Sequence, residues 1–149
     1  MFRRAGRQSD GQALVEFSLI LVPFIVLMMG FFDLGRGIYM MNSTAEAARE
    51  IARVTVVHPW NSSKDLGSSS QVQAVIATQR GLVPNLQITS ATDIVCVDIL
   101  DAVQPDAECR SRPDRFVRVR VQAPFSPVTP VVSLFGSHTF ESYSRIDVP

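Results

Sequence analysis

Apolar and polar positions divide this chain into three stretches of different period. From Phe17 to Phe32 the run FSLILVPFIVLMMGFF holds no charged residue. Extended back to Ala13 it makes 20 residues with Glu16 as the only charge. A helix needs about 20 apolar residues to cross a bilayer, so the run predicts one transmembrane helix. A secretory signal peptide would share the basic lead of Arg3, Arg4 and Arg7, but no A-x-A-like site follows the apolar run. A buried core helix of this length would need more chain around it than the remainder supplies. Past the run, LGRGIYMMNSTAEAAREIARVTVV becomes amphipathic. Leu34, Ile38, Met41, Ala45, Ala48 and Ala52 follow steps of three and four and are expected on one buried face. Glu46–Arg49 and Glu50–Arg53 put opposite charges three apart on the solvated side. Both halves read as one helix from about Ala13 to Val57, with Pro23 inside it. His58-Pro59 ends it, because a residue before proline avoids the helical region.

The remaining third of the pattern is shorter in period. NSSKDLGSSS reads as a loop, and QVQAVIATQRGL as a short helix stopped at Gly81 with Pro84 beyond. IVCVDIL is β-branched and reads as a strand. RFVRVRVQ alternates, with Val117, Val119 and Val121 on one face and Arg118, Arg120 and Gln122 on the other. TFESYSRIDV is a third strand. The expected fold class is α+β: a long N-terminal helix, transmembrane in its first half, packed through its amphipathic half on a small antiparallel sheet.

Charge and cysteine content narrow the setting. Lys+Arg and Asp+Glu are both 14, so the net charge is zero. That argues against a nucleic-acid partner, which calls for a basic face. Mean hydropathy is +0.17, and the excess lies in the apolar run. The basic excess before that run places the N-terminus in the cytoplasm and the bulk of the chain outside it. The two cysteines, Cys96 and Cys109, both fall in the exported part, where an even pair reads as a disulfide. No metal site is expected, since His58 and His138 lack ligand spacing to them. No catalytic triad order, phosphate-binding glycine loop or carboxylate pair stands out, so no enzyme activity and no cofactor are expected.

The segment with chemistry is Gly11–Phe17, GQALVEF. A basic leader, a glycine, then Glu16, Phe17 and an apolar helix occur in that order, and this resembles the type IV prepilin processing signal. A carboxylate inside a membrane segment is costly and marks a candidate function. The plain alternative is a glutamate snorkelling to the cytoplasmic interface. ALVEFSLILVPFIVLMMGFFDLGR, AAREIARV and the C-terminal VRVRVQAPFSPVTPVVSLFGSHTFES further resemble the TadE-like family of the tight-adherence (Flp, type IVc) pilus. The resemblance covers both ends of the chain, and residues 59–92 carry no signature.

That resemblance implies a minor-pilin or pseudopilin-like protein of pilus assembly or initiation. A membrane-embedded prepilin peptidase would cut between Gly11 and Gln12. Glu16 would then be residue five of the mature chain and would pair with the new amine of Gln12, its own or a neighbour's. Its implied partners are the peptidase, other pilus subunits and minor pilins, the inner-membrane assembly platform, and lipid. Its implied location is the bacterial inner membrane, single-pass, with the C-terminal part periplasmic or extracellular. The expected segments are a leader at 1–11, a transmembrane helix at 12–33, an amphipathic exported helix at 34–58 and a small α+β domain at 59–149. TadF-like proteins are the nearest competing resemblance. The competing function is an unprocessed, single-span anchored binding module, with the Arg118/Arg120 face open to an acidic partner.

Overall fold

A computed structural model describes residues 7–58, 65–110, 114–129, 133 and 136–148. Helix α1 spans Arg7–Val57, and α2 spans Ser70–Leu82. A single turn, α3 (Ser90–Asp93), leads into strand β1 (Ile94–Val97). Strand β2 (Val103–Gln104), a 3-10 helix at Asp106–Arg110, and strands β3 (Phe116–Phe125) and β4 (His138–Asp147) complete the order. The sheet is antiparallel throughout, ordered β2-β1-β3-β4. This is the expected α+β arrangement, with one strand more than the sequence suggested. β2 is only two residues long, too short to leave a periodic signal.

The chain forms two compact units. One holds the helix to Arg36 together with Ser126–Gly136; the other holds Gly37–Phe125 and Ser137–Pro149.

In the first unit α1 is described from Arg7, inside the segment read as leader. Arg3 and Arg4 lie outside the described residues. The helix passes through Pro23, whose missing N–H deprives the Leu19 carbonyl of its usual partner. From Leu14 to Phe32 the large apolar side chains point outward on all sides and stay exposed. A helix apolar all round needs an apolar surrounding, and this one is long and apolar enough to cross a membrane.

In the second unit the core lies between the later half of α1, α2 and one face of the sheet. Val117, Val119, Val121, Ala123 and Phe125 alternate inward along β3, as period two dictates. They meet Ala47, Ala48, Ile51 and Ala52 of α1 and Val72 and Ile76 of α2 in one apolar cluster. The buried stripe of α1 departs from the expected one. Ala48 and Ala52 are buried, but Leu34, Ile38 and Met41 are 59%, 50% and 53% exposed, and Ala45 is half-buried. The stripe runs instead through Met40, Thr44, Ala47, Ala48, Ile51, Ala52 and Thr55. The two threonines can be buried because each hydroxyl donates back to a carbonyl four residues earlier. Thr44 Oγ1 reaches Met40 O and Thr55 Oγ1 reaches Ile51 O, both at 2.7 Å. A Cβ placed on Gly37 would lie 3.9 Å from the Phe125 and Phe140 rings, an ordinary van der Waals contact.

Val57 is the last helical residue of α1, as expected, and Pro59 lies outside the described residues. Ser69 then links two helices. Its hydroxyl donates to His58 O at 2.6 Å and accepts from Val72 N–H at 3.3 Å, capping α2. α2 runs past Gly81 to Leu82 and closes at Val83, whose N–H bonds Gln79 O at 2.9 Å. Pro84 forbids further helix at the preceding residue. Cys96 and Cys109 form the expected disulfide across 13 residues, tying β1 to the 3-10 helix before β3. Leu66, inside the Ser/Gly loop, is buried, and its N–H donates to Asp106 Oδ2 at 2.8 Å.

Candidate functional site

The four residues that resemble a processing signal sit on the first turns of α1. Gly11, Gln12, Glu16 and Phe17 are all exposed. Gln12 and Glu16, four apart, share a helix face. Gln12 Nε2 donates to Glu16 Oε1 at 3.4 Å, a long and weak bond. A side chain built on Gly11 would meet nothing within 4 Å. Packing within the chain therefore does not require glycine there. Glycine also weakens a helix by roughly 1 kcal/mol relative to alanine, so the backbone opens more readily at this point.

The C-terminal end of the apolar run carries a second carboxylate, which the sequence reading did not single out. Asp33 is 5% exposed. Its Oδ2 accepts from Thr129 N–H at 2.7 Å and from the Thr129 hydroxyl, and its Oδ1 accepts from Val128 N–H at 3.1 Å. Arg36 Nη1 adds an ion pair at 3.3 Å from the next helical turn. The donors belong to SPVTP, the proline-bracketed turn after β3. Pro127 has no N–H of its own and fixes φ, leaving the next two backbone N–H groups to face one acceptor. Ser133 N–H returns to Thr129 O at 2.8 Å and holds this turn. The signal that would have found the site is an acid at the border of an apolar run, matched with a threonine between prolines. At a separation of 96 residues no local rule joins them.

The outer face of the sheet in the second unit carries Arg118, Arg120 and Gln122, as the alternation implied. Each arginine already has a partner within the chain. Arg118 pairs with Asp101 at 2.5 Å and Arg120 with Glu141 at 2.8 Å. Gln122 Nε2 also donates to Glu141. Arg145 lies over the Phe116 ring at 3.7 Å and donates to Asp98 O at 3.0 Å. Hydrogen bonds from Arg120, then Tyr143 and Gln122, hold the Glu141 carboxyl below its usual range. The same contact raises Arg120 and Tyr143. Asp98 is also held low, chiefly by the Ala102 N–H across the β1–β2 turn. Asp101, Arg118, Tyr143 and Arg145 line an open depression of about 580 Å³. Among the described residues no group of three or more His, Cys, Asp and Glu side chains is placed to hold a metal ion.

No curated protein matches the chain, and no solved structure does. One family model does match. It begins at Gly11, takes in Gln12, Glu16, the apolar run and Asp33, and ends on the amphipathic half of α1. Residues 11–53 of this chain match the family of TadE-like proteins.

Proposed function

We propose that the chain is a minor-pilin or pseudopilin-like component of the Tad (Flp) pilus, matured by a prepilin peptidase that cuts after Gly11. The TadE-like match associates it with that machinery. The observation that carries the finer reading is the Gln12–Glu16 pair at the start of an exposed apolar helix. Cleavage after Gly11 leaves Gln12 with a free amine at the positive end of the helix dipole. A carboxylate one turn on offsets that charge. In lipid the pair is worth more to the chain than either charge alone, since each is costly there unpaired. The amine of a second subunit can take the same place, which is how Glu16 would guide assembly.

In this reading the leader is cytoplasmic, α1 crosses the bacterial inner membrane, and the sheet unit lies outside the cytoplasm. The disulfide fits that side of the membrane. The peptidase, other pilus subunits, the assembly platform and lipid are the partners, and no catalytic role is assigned. The arginines of the sheet face engage acids of their own chain, which weakens the reading as a module for acidic ligands. The deciding experiment is the intact mass of the mature protein in cells with and without the prepilin peptidase. A chain starting at Gln12 only when the peptidase is present supports the proposal. A chain starting near Met1 in both cases overturns the processing step and favours an uncut anchored module.

A further inference from the structure

β4 is the outer strand of the sheet, ten residues long, and among the described residues no strand lies beyond it. Exposed edges are usually blunted by proline, a bulge, a short length or charged side chains, and of these β4 carries only charges, Glu141, Arg145 and Asp147. β4 has neither proline nor glycine, and its register with β3 runs unbroken from Phe116↔Asp147 to Phe125↔His138. The direction of its backbone groups follows from two contacts. Val148 N–H donates to Arg115 O, so the even residues of β4 bond to β3. Gln87 and Gln122 exchange bonds on the opposite side of β3, which gives the same parity. The odd residues, Thr139, Glu141, Tyr143, Arg145 and Asp147, therefore turn their N–H and C=O groups toward the open edge.

The order of side chains along this edge is self-complementary. Phe140-Glu141-Ser142-Tyr143-Ser144-Arg145-Ile146 reads similarly from either end, with acid exchanged for base. Laid antiparallel on itself about Tyr143, the strand sets Glu141 opposite Arg145, Ser142 opposite Ser144, and Phe140 opposite Ile146. Opposite charges, apolar pairs and aromatic pairs directly across two strands all stabilise an antiparallel ladder. Moving the centre to Glu141 or to Arg145 sets like charges face to face, which disfavours those registers. Glu141, Tyr143 and Arg145 are all exposed, and Phe140 and Ile146 are only partly buried, at the border of the apolar cluster.

We infer that β4 pairs with β4 of a second copy of this chain, antiparallel and centred on Tyr143, so that two sheets join across a two-fold axis. The contact is isologous, the same patch on both copies, and its backbone bonds resemble strand addition. It is independent of the processing at Gly11.

The test is cysteine cross-linking of the full-length chain in its own membrane. Cys96 and Cys109 are bonded to each other, so an introduced cysteine supplies the one free thiol. Cα atoms of a hydrogen-bonded antiparallel pair lie about 5.5 Å apart, within disulfide reach. Tyr143→Cys should give a disulfide-linked homodimer under mild oxidation. Ile99→Cys, at a turn position 72% exposed, should give none. Adding Glu141→Arg to Tyr143→Cys should abolish the dimer by opposing two arginines, and adding Arg145→Glu as well should restore it. Should Tyr143→Cys lose the Cys96–Cys109 bond, co-expressed Thr139→Cys and Asp147→Cys chains serve instead and should link to each other. The inference is overturned by equal yields from positions 143 and 99, by no effect of Glu141→Arg, by linkage to a different protein, or by no linkage while the native disulfide is intact.

Discussion

Removing the disulfide should cost the sheet unit a large share of its stability. The bond closes a loop between residues 13 apart, from Cys96 on an inner strand to Cys109 on the 3-10 helix. Loop-closure entropy of that length corresponds to about 3 kcal/mol taken from the unfolded chain. Both cysteines are buried, at 0% and 2% exposure, so alanines at both sites also leave unfilled space that adds to the cost. Single domains are stable by only about 5–15 kcal/mol in all. For a unit of this size each kcal/mol moves Tm by roughly 4–8 °C, so a fall of about 12–24 °C is expected. The assay is thermal unfolding of the Cys96→Ala, Cys109→Ala chain in detergent, followed by far-UV circular dichroism. Native chain treated with reductant is the parallel sample. The denaturant slope should rise as well, because an uncrosslinked chain exposes more surface on unfolding. A double-alanine chain melting within about 3 °C of the native one would refute the reasoning, since the loss would then be under 1 kcal/mol. In cells, the same loss predicts lower steady-state levels wherever disulfide formation is blocked.

Other outcomes can be checked separately. Gly11→Ala adds a Cβ that the chain itself accommodates, so it should leave membrane insertion intact and block processing, read as an unshortened mass. Glu16→Ala should insert and be cut normally but lose co-purification with other pilus subunits, because among the described residues Glu16 hydrogen-bonds only with Gln12. Thr129→Val removes the hydroxyl that Asp33 accepts but keeps the backbone donors, so hydrogen exchange at Val128 and Thr129 should quicken without unfolding the sheet. Glu141 and Asp98 are both held below their usual range. The stability they contribute is present above about pH 4, the ordinary carboxylate value, and is lost as pH falls through their depressed values. The melting temperature should accordingly drop on acidification, and Glu141→Gln should flatten that drop.

What the sequence made legible was whatever has a short period or a simple sum. The apolar run from Phe17 to Phe32 declares itself by the absence of charge. Val117, Val119 and Val121 declare a half-buried strand by alternation, and the structure buries all three. The end of α1 at Val57 follows from the proline two residues on. Reading the amphipathic half failed where polarity was taken as a proxy for exposure. Thr44 and Thr55 are fully buried because their hydroxyls are satisfied by their own helix. Leu34, Ile38 and Met41 fall on the expected buried face by their steps of three and four, yet they stay exposed. β2 and Leu66 escaped because two residues make no pattern and a lone leucine among serines makes none either. The Asp33–Thr129 contact escaped for another reason: it depends on how the fold returns the chain after β3. Gly11–Phe17 resembles a processing motif in sequence, and the chemistry proposed for it would lie in molecules outside this chain.

The two carboxylates bordering the apolar run are held in opposite ways, and the contrast bears on which of them is open to a partner. A carboxylate offers about four acceptor positions. Asp33 fills them from its own chain, with two backbone N–H groups, a hydroxyl and a guanidinium. A group so enclosed has little left to offer a partner, and leaving it unpaired would be costly at its burial. It therefore acts as an internal tie between α1 and the turn after β3. Glu16 is exposed, and among the described residues its one hydrogen-bond donor is a neutral amide at 3.4 Å. In water such a carboxylate is solvated. Inside a bilayer it must find a donor or a cation. Under the proposed processing, the amine left by a cut at Gly11 would be such a cation, and a second subunit would bring another. Asp33 is thus committed within the chain, whereas Glu16 keeps room for a donor that arrives from outside it.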